Sequence, residues 1–494
     1  MTGLAEAPNR VERAATAAAI VLGLAVVARL WAMPLPSSLW LDEFGTVWVT
    51  DAGLGQILER SRLFPQSIPY AAVVAGTRAV LGSSEAALRL PSLLAMLVAV
   101  RVLFRMVRDS LGRSAGLLAA GTWLLFPQVE FAASDARPYA FAVLFAALAS
   151  WSLWRWQERG RFGDAAAYAA CAAATVYFQY LFATLLAAHG LYVLWRRRRG
   201  SPVSWRPIAA TGSALVVLLL PAARLVVEIG GNRARHAFGT PPGAGELFQA
   251  LVPTRVLGLL APALLVVFAT RLARGWRVQR PAASGLDAIV LFVLSAAIPP
   301  LVLFGIARVA ATPVFDGRYL IVTAPAWAAL FGWLLDAVEP PAGRAATIAV
   351  ALALALVLRG DFGRRGIVHG REDWRGAVAA LDAAAGPTPV FLSGTFAESK
   401  DPGLLSDPRH RDYLAAPLEY YRPLGPVQLL PLRAVEGAEA YAPGPTTARF
   451  AVVERSSRYP SWTPWLENRG WTAREVFRSP ALSVRVFERR NAGG

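Results

Sequence analysis

Before residue 360 the chain turns apolar again and again, in runs close to the roughly 20 residues that an α-helix needs to cross a bilayer. Eleven such runs can be read, at about 14–33, 89–107, 114–130, 138–156, 164–180, 181–195, 207–226, 251–270, 286–307, 318–337 and 344–359. Backbone in hydrocarbon must satisfy its own hydrogen bonds, so only helices or closed barrels span membranes. These runs are too long for barrel strands. The expected fold class is therefore a polytopic α-helical membrane protein with about 11 transmembrane helices. With 55% hydrophobic and 17% charged residues, the composition excludes a disordered chain and an ordinary cytosolic enzyme. A single cysteine, Cys171, excludes a disulfide framework. Four scattered histidines argue against a histidine-clustered zinc site.

Arginine placement sets the expected orientation. The net charge is +17, and Lys400 is the only lysine. With the N-terminus in the cytoplasm, the cytoplasmic segments carry 18 arginines and the opposite loops 10. That is the bias expected of inner loops, and it removes the need for a nucleic-acid partner. The first run, flanked by Arg10 and Arg13, reads as an uncleaved anchor rather than a signal peptide. An odd number of spans leaves the C-terminal tail outside. The expected location is the cell inner or plasma membrane, multi-pass, with an extracytoplasmic C-terminal domain.

Two stretches are too long and polar to be turns. One is the first outer loop, 34–88, within a membrane domain of residues 1–359. In it, Ile68 to Leu81 is apolar and suits a re-entrant or surface-lying helix, or a further span that would invert every later helix. The other is the tail, 360–494. Glu372 to Ala385 reads as an amphipathic helix and Tyr413 to Tyr421 as another. Pro389 to Leu392, Phe450 to Val453 and Leu482 to Phe487 read as strands. The alternation predicts a small α/β domain. It carries no glycine-rich phosphate fingerprint, and no repeat of about 20–50 residues is visible in the chain.

Polar residues beside an apolar slab are where a membrane protein carries its chemistry. Three groups fall on the same expected outer face. Asp42 and Glu43 follow the first span, where one carboxylate can deprotonate a hydroxyl while the other holds an acceptor or a divalent metal. The structural reading is a helix start with Asp42 as N-cap. Ser134-Asp-Ala-Arg-Pro-Tyr139 lies between the third and fourth spans. Arg137 there can grip a phosphate in forked geometry, with Asp135 to orient it. The structural reading is a surface pair of little energetic weight. Pro138 suits the first turn of the next helix. Asp316-Gly-Arg-Tyr-Leu320 again sets an arginine, Arg318, beside a carboxylate, with Tyr319 as an interfacial aromatic.

Other residues carry less. His189 in a span reads as a hydrogen-bonded packing residue. His236, with Arg233 and Arg235, reads as a substrate contact or a solvated loop. Trp31, Trp40, Trp48 and Trp123 read as interfacial anchors, or as surfaces for a sugar ring.

Taken in order, these pieces resemble the polyprenyl-phosphate-sugar-dependent membrane glycosyltransferases of the C fold. Within them the chain is most similar to bacterial relatives of the protein O-mannosyltransferases (family 39) and the lipid A aminoarabinose transferases. The matching pieces are Asp42-Glu43, Glu85-Ala-Ala-Leu-Arg-Leu-Pro-Ser92, Ser134 to Tyr139, Gly317-Arg-Tyr-Leu320 and Glu372-Asp-Trp-Arg-Gly376. They span about residues 12–380; the last 110 or so residues add little. The resemblance implies a lipid-phosphate-linked sugar donor and work on the non-cytoplasmic face. It implies that Asp42, with Glu43, is the catalytic pair, Asp42 being the base on the acceptor hydroxyl. Arg137 lies near the donor phosphate, with Arg318 as a second phosphate ligand; Asp135, Tyr139 and Asp316 support them. Two departures stand out. Asp135 replaces a frequent glutamate, and Tyr177-Phe-Gln-Tyr180 stands where the family often has histidine, which puts a histidine-dependent metal in doubt.

The residue chemistry agrees with that expectation. A glycosyl phosphate already carries its leaving group, so a base and one or two arginines suffice for a single inverting displacement. A covalent route would need a carboxylate on the opposite sugar face, where Glu43, as the neighbour of Asp42, is not obviously placed. The expected partners are the donor, the bilayer and a hydroxyl acceptor on a glycolipid, wall polysaccharide or protein. No cofactor is required, although a divalent metal is compatible. Mannose, galacturonic acid, arabinose and aminoarabinose all suit the motifs. The rival classes are a transporter or flippase of lipid-linked saccharide and a non-catalytic lipid-binding scaffold. Charges gathered at outer helix ends, rather than at the midplane of an inverted repeat, favour the enzyme.

Overall fold

In the computed structural model, the described residues are 10–64, 66–231, 241–272, 283–310, 314–337, 341–363, 367–393, 395–431, 438–444, 447–455 and 461–489. Arg233, Arg235 and His236 lie outside them. Two compact units form. The first comprises residues 1–34, 89–231 and 239–367; the second comprises 35–88, 232–238 and 368–494. Residues 35–88, which the sequence groups with the membrane helices, thus enter the second unit along with the tail.

Helix occupies every one of the eleven expected stretches. Among the described residues, six helices are each long and apolar enough to cross a bilayer: Arg10–Ala32, Glu85–Leu111, Trp205–Ala223, Gly285–Val309, Gly317–Asp336 and Pro341–Arg359. A seventh arises if Ala244–Leu251 and Thr254–Val266, bent by 52°, form one broken span. Of the four other expected runs, Tyr139–Arg159 is an unbroken helix of 21 residues that is not among these apolar spans, and three are shorter or interrupted. Arg113–Trp123 and Pro127–Ala133 break ahead of Pro127, and Phe162–Phe178 and Thr184–Arg198 have 17 and 15 residues.

Small residues set the packing of the first unit, as expected where lipid supplies no hydrophobic drive between helices. A Cβ on Gly332 would meet the Ala115 carbonyl at 2.5 Å, and one on Gly121 would meet Ile348 at 2.8 Å. Trp31 and Trp123 are fully buried, so they fill the core instead of anchoring at the interface. His189 is also fully buried and hydrogen-bonds the Ser150 hydroxyl at 3.1 Å, as a packing histidine should. Buried Arg196 pairs with Glu158 at 3.0 Å and with Asp287, tying together three helices.

In the second unit the tail forms a five-stranded sheet. Its strands are β1 (Val390–Ser393), β2 (Val427–Leu429), β3 (Arg449–Arg455), β4 (Trp471–Arg478) and β5 (Leu482–Arg489), in the order β2-β1-β3-β5-β4. β1 pairs parallel with β2 and β3; β5 pairs antiparallel with β3 and β4. The sequence shows β1, β3 and β5 because they are buried and apolar. β2 and β4 escape it because both are edge strands, one of three residues and the other mostly exposed. Helix Trp374–Ala385 is capped by Asp373, which accepts from Gly376 N at 2.9 Å. Ile68–Leu81 is a helix of 14 residues in this unit, too short to span.

Candidate functional site

The motif residues divide between the two units. The second unit holds Asp42-Glu43, Glu85 and the Glu372–Gly376 segment; the first holds Arg89 to Ser92, Ser134 to Tyr139 and Gly317 to Leu320.

In the second unit, helix Leu41–Asp51 begins one residue before Asp42, with Trp40 as N-cap. Asp42 is therefore not the cap; it lies in the first turn. Glu43 does the capping work. Its Oε2 accepts from the Trp40 N–H at 3.0 Å, the return half of a capping box. The adjacent carboxylates thus have different settings: Glu43 is fully buried, whereas Asp42 is only half-buried. A Glu43 carboxylate oxygen also lies within 4.8 Å of a ring nitrogen of buried His369. The pair offers two of the donors a divalent ion takes, one oxygen and one nitrogen, so these residues suit a metal without completing its shell.

The residues around that helix hold it firmly. Glu372, 1% exposed, accepts from Leu41 N at 2.8 Å and from Trp374 Nε1 at 2.8 Å through Oε2, and from Arg455 Nε at 2.7 Å through Oε1. Burial pushes its carboxyl above the ordinary range, against the lowering influence of Arg455 and the other donors. Phe44 meets the rings of Trp374, Tyr420 and Tyr421 edge-on at about 6 Å. The Tyr421 hydroxyl accepts from Leu39 N at 3.0 Å and donates to Glu85 at 3.0 Å; Arg375 pairs with Glu85 as well. Gly370, at φ 66°, lets its backbone approach Trp40 so closely that a Cβ would lie 2.4 Å from the Trp40 Cβ.

In the first unit, two of the motif groups meet. The rings of Tyr139 and Tyr319 are 6.4 Å apart, and Tyr180 lies within electrostatic reach of both Arg137 and Tyr319. The Ser92 hydroxyl donates to the Arg137 carbonyl at 3.3 Å, so Ser92 also bears on this cluster. Asp135 is fully buried, Tyr139 is nearly so, and Arg137 is half-buried. Pro138 stands at the N-cap of helix Tyr139–Arg159, one position ahead of the first turn. Asp316 caps the short helix Gly317–Leu320 by accepting from Arg318 N at 3.0 Å, and it also pairs with Arg318 Nε at 3.2 Å. Arg89 is completely buried and donates to the Pro34 carbonyl at 3.0 Å.

Sequence reasoning missed His369, the bridging role of Glu372, and Arg455. Glu372 opens a motif already noted and His369 lies three residues before it, which was the available signal. Arg455 had none, because its partner lies 83 residues away.

Comparison with known proteins now bears on this arrangement. Residues 66–225 match the family model described as dolichyl-phosphate-mannose-protein mannosyltransferase. No curated protein sequence matches. Among solved structures, ArnT from Cupriavidus metallidurans in the apo state is 13% identical, covers 94% of this chain and 97% of its own, and has a TM-score of 0.56. The same protein bound to undecaprenyl phosphate is 13% identical, covers 96% and 98%, and has a TM-score of 0.58. At this identity the likeness establishes the fold. The chain has the C-type membrane glycosyltransferase fold, and it also carries a small C-terminal sheet.

Proposed function

We propose that this chain, built on the C-type fold, is a multi-pass membrane glycosyltransferase that moves a sugar from a polyprenyl-phosphate donor to a hydroxyl acceptor. ArnT is similar over nearly its whole length and binds undecaprenyl phosphate, which supports a lipid phosphate as the carrier. The observation that carries the reading is the setting of Asp42. It is a half-buried carboxylate in the first turn of a helix whose two neighbouring amides are held by Glu43 and Glu372. A base must be held still yet be open to the proton it takes.

In this account Asp42 takes the proton of the acceptor hydroxyl as that oxygen attacks the anomeric carbon. The bond from that carbon to the phosphate oxygen breaks, and polyprenyl phosphate leaves with the electron pair. Attack from the opposite face inverts the anomeric centre. Arg137 and Arg318 stabilise the charge that grows on the departing phosphate. Asp316 and Tyr139 hold these arginines and their surroundings in place. A lipid tail stays in the bilayer while its head group reacts at the membrane boundary. The arginine bias of the loops supports a reaction on the extracytoplasmic face of the plasma or inner membrane, with the N-terminus in the cytoplasm. The acceptor is a glycolipid, a wall polymer or a protein.

The experiment is transfer of label from a panel of polyprenyl-phosphate sugars to a membrane and wall extract by the purified protein. Transfer from at least one donor, with release of polyprenyl phosphate, is the expected result. Movement of intact labelled lipid across the bilayer without release of phosphate would favour the flippase.

A further inference from the structure

Glu372 sits at the junction of three parts of the second unit. One of its oxygens takes the Leu41 amide and the Trp374 indole; the other takes Arg455, the last residue of β3. β3 lies in the middle of the sheet, paired on both edges. Leu41 is the first helical residue ahead of Asp42, and its N–H has no partner inside the helix because four amides at any helix start have none. Glu43 serves Trp40 from within the helix, and Glu372 serves Leu41 from outside it. Asp42 is thus tethered through the peptide just before it.

Stability is a poor explanation for this arrangement. The Glu372 carboxylate is buried and loses its water while Arg455 keeps part of its own, so the pair contributes little more than apolar residues of the same size. What such a pair does supply is direction. Three donors converge on one acceptor-only group, so rotating the carboxylate breaks at least one bond. Trp374 is fully buried and meets Phe44 on the same helix as Asp42, which fixes the helix face as well as its end.

We infer that Glu372 is a positioning residue for sugar transfer, aiming Asp42 through the Leu41 amide, and that Arg455 fixes Glu372 from the central strand of the tail sheet. The tail sheet is then part of the reaction apparatus and not a separate binding module. This inference rests on the reading of Asp42 as the base.

The test compares Glu372→Gln, Arg455→Met, the double variant and Asp42→Asn in the full-length protein. Gln brings N–H groups where only acceptors fit, and Met keeps bulk while removing the charge. Hydrogen exchange of the peptide over Trp40 to Phe44 needs no substrate. It should quicken in both single variants, while exchange across Gly332 and the sheet stays as in the wild type. In the transfer assay, each single variant should lose about tenfold or more in kcat with donor KM within about twofold, since a displaced base slows chemistry and leaves binding alone. The double variant should be no slower than Glu372→Gln, because both act through one link. Beyond the acid-side fall that Asp42 gives every variant keeping it, Arg455→Met should show a further fall of kcat at low pH that Glu372→Gln lacks, as the unpaired carboxyl gains its proton more readily. Arg455→Met keeps the test open if Glu372→Gln does not fold. Unchanged exchange at Trp40 to Phe44, unchanged kcat in a folded single variant, or losses that add in the double variant would each overturn the inference. If these hold but Asp42→Asn is as active as the wild type, the reading of Asp42 fails and the inference falls with it. If Asp42→Asn is inactive and Glu372→Gln is not impaired, only the inference falls.

Discussion

The Oε2 of Glu43 lies 3.0 Å from the backbone nitrogen of Trp40, closing the start of the helix that presents Asp42. Two carboxylates adjacent in sequence therefore divide their work. Glu43 is buried and holds backbone, while Asp42 stays half-buried. A consecutive acidic pair gives no hint of that division. It comes from the helix starting at Leu41, which puts Glu43 at the third helical position, from which a side chain reaches back to the cap.

Gly370 provides a test of the backbone around this helix. Its φ of 66° and its approach to Trp40 leave no room for a side chain. Gly370→Ala should destabilise the protein by about 2–4 kcal/mol, strain and overlap together. Gly160→Ala, at φ 64° and ψ 13° in the left-handed region with nothing within 4 Å of the new methyl, should cost about 1 kcal/mol. Thermal unfolding of the two variants in detergent checks the ordering. Equal losses would show that the close approach to Trp40 does not exist in solution.

The two arginines of the first unit should differ from their acidic neighbours. Replacing Arg137 with Lys, or Arg318 with Ala, should weaken binding of undecaprenyl phosphate by about 10–100-fold, the loss expected for a charge-assisted hydrogen bond. Asp316→Ala removes an exposed ion pair of small weight together with a helix cap, so it should lower stability by about 1 kcal/mol and change binding less. Titration of each variant with undecaprenyl phosphate would decide. Full affinity in both arginine variants would remove them from the phosphate site.

Glu372 predicts a pH dependence of stability. Burial raises its carboxyl above the ordinary value of 4.5. The folded state therefore holds this proton more tightly than the unfolded chain. The stability this contributes is complete below the unfolded pKa and is lost as pH rises through the folded one. Glu372→Gln has no such loss. The melting temperature of Glu372→Gln relative to the wild type should accordingly rise as pH is taken from about 4 to about 8. A relative fall over that range would show that the paired carboxylate is held more as an anion than its burial implies.

Much of the fold was legible in the sequence because lipid imposes a one-dimensional constraint. An apolar run of the right length has few options, and helix appears at every expected stretch. Trp31 and Trp123 show where that logic stops. Position near a helix end reads as an interfacial anchor, but only packing reveals that both rings are fully buried. Likewise the 34–88 stretch looks like a loop of the membrane unit, yet for residues 35–88 the compact partner is the tail, through pairs such as Tyr421 with Glu85 and Tyr420 with the Ser83 carbonyl. Partners more than 300 residues apart leave no trace in local pattern. The site residues were legible as short polar motifs at helix ends. Their division of labour was not, because it depends on which oxygen faces which amide.

The central claim is that Asp42 removes a proton in a sugar transfer from a lipid phosphate. Its most direct test is transfer by wild type and Asp42→Asn side by side, with undecaprenyl phosphate binding measured on both. The account predicts transfer by the wild type from at least one polyprenyl-phosphate sugar. In Asp42→Asn it predicts a loss of about 100-fold or more, the usual contribution of a general base, with lipid-phosphate binding unchanged. Equal transfer by the two proteins would contradict it.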